Sequence, residues 1–262
     1  MKFVILITYC IFLTSCLTDL RTEFNKTEGY SESNQQKGRA LILAVNKTVG
    51  INKLKDFKSY TVQFSDEFLN FSGAFANPYK NKKTNFKLDL VPNSFNSKMT
   101  YLNGKEKDRV SGMTDWKTYS IKNDKKIYKK DKRTQFWLPT YQYFIEFSMR
   151  ILDADKISYA GIQTYNNKEY ELVLASWKSY EPQRKIDQYL IWISKKTGRI
   201  EILQYTIRDY YGFIKGVTFM EDYKTFNGIQ FPTNMRVKSR LNQKNLMHNM
   251  RIENVIFNMT TN

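Results

Sequence analysis

The chain has 262 residues, and 42 Lys and Arg against 25 Asp and Glu give it a formal charge of +17. Hydrophobic residues make up 41% of it and charged residues 26%, which excludes a disordered chain, while 11 Gly and 5 Pro exclude collagen-like or low-complexity material. One His and two Cys cannot form a His/Cys zinc cluster and leave little for Cys- or Ser-based hydrolysis. We therefore expect a globular protein without a metal or other cofactor.

The first sixteen residues predict the compartment. Met1 and Lys2 form a short positive region, Phe3–Leu13 is an apolar run too short to span a bilayer as a helix, and Leu13-Thr14-Ser15-Cys16 follows. This tetrapeptide resembles the lipobox of bacterial lipoproteins, in which a branched apolar residue and two small residues precede a cysteine. The resemblance implies that residues 1–15 are a lipoprotein signal peptide and that Cys16 is lipidated. The alternative is an ordinary signal peptide, or a signal anchor with an incidental Cys.

Lipidation at Cys16 would fix the location of the protein, because several acyl chains hold a protein stably at a membrane. Leu17 rather than Asp follows the Cys, which resembles the enterobacterial signal for the outer membrane, and no acidic cluster directs the protein to the cell surface. We expect the periplasmic face of the outer membrane, with the inner membrane as the alternative. There the +16 that remains after loss of Lys2 favours affinity for an anionic membrane surface, or solubility, over binding of nucleic acid.

The chain then divides into a tether and a single domain. Residues 16–36 are polar and lack periodicity, which predicts a flexible tether, and residues 37–262 read as one domain. Ala40–Val49 is apolar at helical spacing and ends at Gly50, which predicts a helix with a glycine after its last turn. A second helix is predicted over Pro139–Leu152, where apolar residues lie on more than one face.

Most of the remaining domain has the period of two that is typical of strands. About ten strands with short turns and no alternating helices favour an antiparallel sheet over a βαβ fold. Asn227-Gly228 is the strongest hairpin signal in the chain. The clearest strands contain Tyr60–Ser65, Phe86–Leu90, Tyr170–Ala175, Ile186–Ser194, Arg199–Ile207, Val217–Tyr223, Ile229–Val237 and Met250–Ile256.

The order of these pieces resembles a known family. It begins with the lipobox, the helix before Gly50, a strand opened by Asp115-Trp116 and the Leu138-Pro139 helix. Two motifs follow, Tyr189-x-x-Trp192-Ile193-Ser194-Lys195-Lys196-Thr197-Gly198 and Phe219-x-x-Asp222-Tyr223-x-x-Phe226-Asn227-Gly228-Ile229-Gln230-Phe231-Pro232. The order resembles the Lol-type lipoprotein-carrier superfamily, and more closely uncharacterised outer-membrane lipoproteins that share its fold. The resemblance covers residues 40–240, and the His commonly expected before Gly50 is replaced by Val49.

The resemblance implies a mainly β (α+β) fold. Its curved antiparallel sheet forms an incomplete β-barrel, and two helices cover the concave apolar face. The implied activity is to hold an acyl chain in that cavity. The chemistry agrees, because each lipid CH₂ group moved out of water contributes about 0.8 kcal/mol and needs only apolar walls.

Aromatic residues are the candidate walls and lid of this cavity, with ordinary core packing as the alternative. Long side chains on more than one face of the second helix favour a lid, and two further Trp lie on predicted strands. The candidates are Phe136, Trp137, Tyr143, Phe144, Phe147, Trp177 and Trp192.

Two surface segments are candidates for contact with a membrane or a partner. Lys122–Arg133 carries seven positive charges against two Asp, which fits either a solvated hairpin tip or contact with lipid phosphates through Lys125, Lys126, Lys129 and Lys130. Ser65–Asn85 is expected to be a loop or extended hairpin, and its aromatic residues either dip into a membrane or partner or pack back on the sheet. His248 is expected at the surface or on an edge strand.

Acidic pairs such as Asp153/Asp155 are weak signs of acid–base catalysis without a pocket, and no phosphate loop or nucleophile elbow occurs. The sequence therefore predicts a non-enzymatic, monomeric carrier or acceptor that binds acyl chains or an acylated protein. The alternative is an interaction module with a vestigial cavity, which binds a protein through the sheet edge or the basic segment.

Overall fold

The structure, a computed structural model, describes residues 17–209 and 214–259. The predicted signal peptide of residues 1–15 and the predicted lipid attachment at Cys16 lie outside the described residues. Within the described ranges, no helix is long and apolar enough to cross a membrane.

Five α-helices and thirteen strands make up the described chain, together with 3₁₀ turns at Ile51–Asp56, Gly104–Glu106 and Ile151–Asp153. The helices are α1 Glu23–Glu28, α2 Glu32–Val49, α3 Phe71–Ala76, α4 Lys132–Ile145 and α5 Phe147–Arg150. The strands are β1 Phe57–Phe68, β2 Lys83–Leu90, β3 Ser97–Tyr101, β4 Val110–Thr114, β5 Lys117–Lys122, β6 Lys125–Tyr128, β7 Lys156–Tyr165, β8 Lys168–Ser176, β9 Tyr189–Ser194, β10 Ile200–Thr206, β11 Lys215–Phe226, β12 Ile229–Lys238 and β13 His248–Met259.

All thirteen described strands belong to one antiparallel sheet in the order β6-β5-β4-β3-β2-β1-β13-β12-β11-β10-β9-β8-β7. Pairing of β1 with β13 joins the first six strands to the last seven. The described strands β6 and β7 stand at the two edges, so the sheet is not closed into a barrel. The predicted fold class, mainly β with an incomplete barrel and helical cover, is confirmed.

The inner face of the sheet carries the main core. On β1, Tyr60, Val62 and Phe64 alternate with more exposed residues and are fully or almost fully buried. They belong to one apolar cluster with Ile42 of α2 and Tyr141 of α4, so these helices cover the inner face. A smaller cluster lies on the outer face of β7–β11 and contains Leu172, Trp192 and Phe219.

Close backbone contact fixes α2 against the edge strand β7. A Cβ atom at Gly38 would lie 2.6 Å from backbone atoms of Ser158 and Tyr159, so only glycine permits this approach. Gly50 ends the helix in the left-handed region, at φ 70°, as its position after Val49 predicts. The predicted helix is therefore present, and it begins eight residues earlier, at Glu32.

Residues 17–36 correct the prediction of a flexible tether. They form α1 and the first turns of α2, and Asn25 is almost fully buried. The Asn25 side chain donates to the Tyr159 carbonyl at 3.0 Å, and the Thr22 hydroxyl donates to the Ala160 carbonyl at 2.8 Å. Polar side chains thus hold this segment on β7 through backbone carbonyls, which is why it lacks an apolar period.

Two local predictions also differ from the structure, and a third is confirmed in one of its two forms. Asp115-Trp116 is the tight turn between β4 and β5, with φ of 50° and 63°, rather than the start of a strand. The helix predicted over Pro139–Leu152 begins at Lys132, since Asp131 caps it, and α4 ends before Glu146. Ser65–Asn85 is the extended hairpin of its two expectations, since β1 pairs with β2 as far as Glu67 and Lys83 and α3 lies in the connection between them.

Candidate functional site

A groove of about 290 Å³ lies between α4 and the inner face of the sheet; we call it the aromatic groove. Its volume is at the lower end of ligand pockets, about 300–1,000 Å³. One side is α4, which contributes Phe136 and Trp137 with Tyr143 and Phe144 one to two turns later. The strands supply Tyr189 and Tyr205 from β9 and β10, and Met250 and His248 from β13.

The first turn of α4 is fixed by hydrogen bonds to Asp131 and by an ion pair of Arg133. Asp131 accepts hydrogen bonds from the backbone N–H groups of Arg133 and Thr134 at 3.1 and 3.3 Å and from the Thr134 hydroxyl at 2.9 Å. Arg133 in turn donates to Glu106 at 2.9 Å. Burial alone would raise the pKa of Glu106, but the hydrogen bonds and charges of Arg133 and Arg109 outweigh burial and lower it. This cluster orients α4 along the groove.

The end of α4 is fixed by a buried acid. Glu146 is fully buried between α4 and α5 and accepts hydrogen bonds from Tyr60 at 2.5 Å, Gln142 at 3.0 Å and Arg150 at 2.7 Å. Burial raises the pKa of Glu146, although the charge of Arg150 and the hydrogen bonds oppose that rise. Because Tyr60 belongs to β1, the network ties the helical cover to the centre of the sheet.

A second polar network connects Tyr141 and Asp66 to His248 on the wall of the groove. The Tyr79 and Tyr141 hydroxyl groups lie 2.9 Å apart, and Tyr141 donates to Oδ2 of the fully buried Asp66 at 2.9 Å. The other oxygen, Oδ1, lies 2.8 Å from Nδ1 of His248. Burial raises the pKa of Tyr141 well above its ordinary value, so its hydroxyl remains a donor. His248 is thus a buried groove residue on an inner strand, which corrects the expected position at the surface or on an edge strand.

No protein-family model matches the chain, and no curated protein matches it. An outer membrane lipoprotein-sorting protein domain from Vibrio parahaemolyticus aligns with a TM-score of 0.57 at 8% identity, over 86% of this chain and 93% of that one. A DUF1329 family protein from Desulfovibrio piger gives 0.53 at 10% identity, over 86% and 93%. A LolA superfamily protein from Nitrosomonas europaea gives 0.51 at 8% identity, over 83% and 92%. The chain has the LolA-like fold.

The comparisons confirm the resemblance to the Lol-type superfamily at the level of architecture. At identities of 8–10% they carry no residue role from those proteins to this one. The role of each side chain in the site therefore follows from its own contacts.

Four of the seven predicted cavity residues line the aromatic groove: Phe136, Trp137, Tyr143 and Phe144. Phe147 lies below them, edge-on to Tyr143 with ring centres 5.6 Å apart, and forms core rather than wall. Trp177 touches the groove residue Tyr189 edge-on at 6.0 Å without lining the groove itself.

The prediction for Trp192 is corrected. Its neighbours Ile191 and Ile193 face the inner core, and Trp192 therefore faces outward, edge-on to Tyr170 at 5.7 Å. Since β9 is apolar on both faces, periodicity alone left its inward face undecided.

Sequence reasoning missed five groove residues on the strands: Tyr189, Tyr205, Thr206, His248 and Met250. Tyr189 and Tyr205 are cross-strand partners, and alternation places Tyr189 on the same face as Ile191. Such pairs were accessible from the strand register. His248 and Met250 required the pairing of β13 with β1, which is remote in sequence.

The four predicted membrane-contact lysines lie on or just after the edge strand β6. Lys125, Lys126, Lys129 and Lys130 are all exposed. Lys126 lies 4.5 Å above the ring of Tyr119, and Lys130 borders a shallow depression that adjoins the groove at Phe136. Their exposure agrees with either expectation, a solvated hairpin or contact with lipid phosphates.

Some aromatic residues of Ser65–Asn85 pack back on the sheet, and others are exposed, as contact with a membrane or a partner requires. Phe68 packs inward beside His248 and is 2% exposed, whereas Phe71 and Phe75 of α3 are 88% and 89% exposed. Within residues 17–209 and 214–259 there is no cluster of three or more His, Cys, Asp or Glu that is suited to a metal.

Proposed function

We propose that this protein binds a single acyl chain, of a lipid or of an acylated protein, in the aromatic groove and acts as a carrier or acceptor without covalent chemistry. The observation that carries the proposal is the groove itself, a largely apolar slot between a helical cover and the inner face of a LolA-like sheet, with Asp187 and Asp209 also on its lining. Aromatic walls bind a hydrocarbon chain by removing its surface from water.

The proposed location is the periplasmic face of the outer membrane, with lipidated Cys16 as anchor. The lipobox resemblance at Leu13–Cys16 supports it. The solved structures of similar fold also include one described as an outer membrane lipoprotein-sorting domain. Exposed lysines of β6 would then meet anionic phospholipid.

Native mass spectrometry of the full chain, extracted from envelopes in mild detergent, tests the binding. We expect a non-covalent lipid adduct on the protein without substitutions. Thr140→Trp fills the groove from α4 and should abolish the adduct. The matched variant Leu43→Trp adds the same side chain at an exposed position of α2 and should retain it. Absence of lipid in every extract, or an unchanged adduct on Thr140→Trp, would contradict the proposal.

A second candidate is an interaction module, which the exposed pair Phe71 and Phe75 favours. These rings are one helical turn apart on α3 and contribute nothing to the core. Capture of one defined envelope protein that survives Thr140→Trp but is lost in Phe71→Ser/Phe75→Ser would favour this function over lipid carriage.

A further inference from the structure

His248 is a polar residue in an otherwise aromatic part of the groove. It is the first residue of β13 and lies opposite Phe68 of β1 in the sheet. Its ring stacks on Phe68 at 4.9 Å, nearly parallel, and meets the edge of Trp137 at 6.2 Å. Packing on both sides therefore fixes the plane of the imidazole.

Asp66 occupies one of the two ring nitrogens of His248. Its carboxylate accepts from Tyr141 through Oδ2, and Oδ1 lies 2.8 Å from Nδ1 of His248. Since a carboxylate only accepts hydrogen bonds, we assign a proton to Nδ1. No hydrogen bond to Nε2 is present among the described residues. Nε2 is thus the nitrogen left for a ligand.

A ligand with an acyl chain brings a polar end with it. Moving a carboxyl group from water into an aromatic groove costs free energy unless a hydrogen-bonding partner replaces the lost water. An imidazole nitrogen can share one proton with a carboxyl oxygen, whichever of the two carries it, and such charge-assisted bonds are the strong ones.

We propose that His248 Nε2 binds the carboxyl group of a single-chain fatty acid held in the aromatic groove. The inference rests on the proposed function, since it names the ligand class of the same groove. A volume of about 290 Å³ fits one chain rather than several. The competing position for the carboxylate is the neighbouring depression, where Lys130 and Lys132 supply positive charge next to Phe136.

Decanoic acid and methyl decanoate are the probes, since both carry the same chain and only the acid has the shared proton. All described elements lie between Leu17 and Met259, so the chain from Leu17 onward is used. Binding is followed by tryptophan fluorescence, because Trp137 lines the groove. We expect the acid to bind about tenfold more tightly than the ester.

His248→Phe should remove that preference while both probes still bind, and Lys130→Gln/Lys132→Gln should keep it. A preference that survives His248→Phe, or that disappears in the lysine variant, would overturn the proposal. If neither probe binds the chain without substitutions, the proposed function fails as well.

A second readout does not depend on any variant folding. His248 is the one histidine of the chain, so an imidazole labelled with ¹⁵N gives a single assignable pair of signals. Decanoic acid should shift the Nε2 signal and leave the Nδ1 signal, held by Asp66, nearly unchanged. Binding of the acid with no change at Nε2 would contradict the role of His248 and leave acyl-chain binding intact.

Discussion

Tyr60 of β1 donates a 2.5 Å hydrogen bond to Glu146, the residue between α4 and α5. Both residues are fully buried, so the contact joins the middle of the sheet to the helices that cover the groove. Burial and the nearby negative charge of Glu146 raise the pKa of Tyr60 well above its ordinary value, so the tyrosine stays the donor.

Tyr60→Phe should lower the free energy of unfolding by about 1–3 kcal/mol, because it leaves a buried carboxylate with one donor fewer. Urea unfolding measures the change. Tyr128→Phe is the control, since Tyr128 is 57% exposed on β6 and its change should stay within about 0.5 kcal/mol. Equal losses in the two variants would mean that the contact with Glu146 adds nothing to stability.

Acid should loosen the start of α4. Asp131 and Glu106 have lowered pKa values because hydrogen bonds from Thr134 and Arg133 and the charges of Arg133 and Arg109 outweigh burial. A carboxyl group with a lowered pKa stabilises the fold fully above its unfolded value and loses that contribution as pH falls through its folded value. We therefore expect stability to fall from about pH 4.5 downward, starting at the ordinary pKa of Glu106.

Thermal unfolding between pH 3 and pH 7 measures this dependence. Between pH 7 and pH 3, Glu106→Gln should lose less stability than the protein without the substitution loses. Glu253→Gln changes an exposed position of β13 and should leave the slope as it was. A slope that is identical in all three proteins would exclude the contacts of Glu106 with Arg133 and Arg109 as its source.

The N-terminal segment should behave as part of the domain. Asn25→Ala removes a buried donor from the Tyr159 carbonyl, and we expect a loss of about 1–3 kcal/mol in urea unfolding. Glu28→Ala alters an exposed residue of the same helix and serves as control. If residues 17–36 were a tether, both variants would unfold at the same denaturant concentration.

The sheet was predictable because its signals are local. Alternating side chains in β1, β2 and β12, and Asn227-Gly228 between β11 and β12, identify strands and a turn without tertiary information. The helix before Gly50 was also visible from apolar spacing. The fold class followed from strand count, short turns and the motif order.

The site was only half predictable because it is assembled from distant segments. Residues of α4 stand out as an aromatic cluster, but the face of β9 on which Trp192 lies depends on what covers each side of the sheet. The role of His248 depends on its contact with Asp66, which is 182 residues away in the sequence. The short helix α1 is held by polar contacts to carbonyl groups of β7, which a hydrophobic period cannot reveal.

Photo-crosslinking tests the central claim, acyl-chain binding in the aromatic groove, most directly. A fatty acid with a diazirine on its terminal carbon is added to the chain, irradiated and located by peptide mass spectrometry. We predict label on α4 between Phe136 and Phe144 and on Tyr189 or Tyr205 of the facing strands. Label confined to Phe71 and Phe75, or to the outer face around Phe219, would contradict the account.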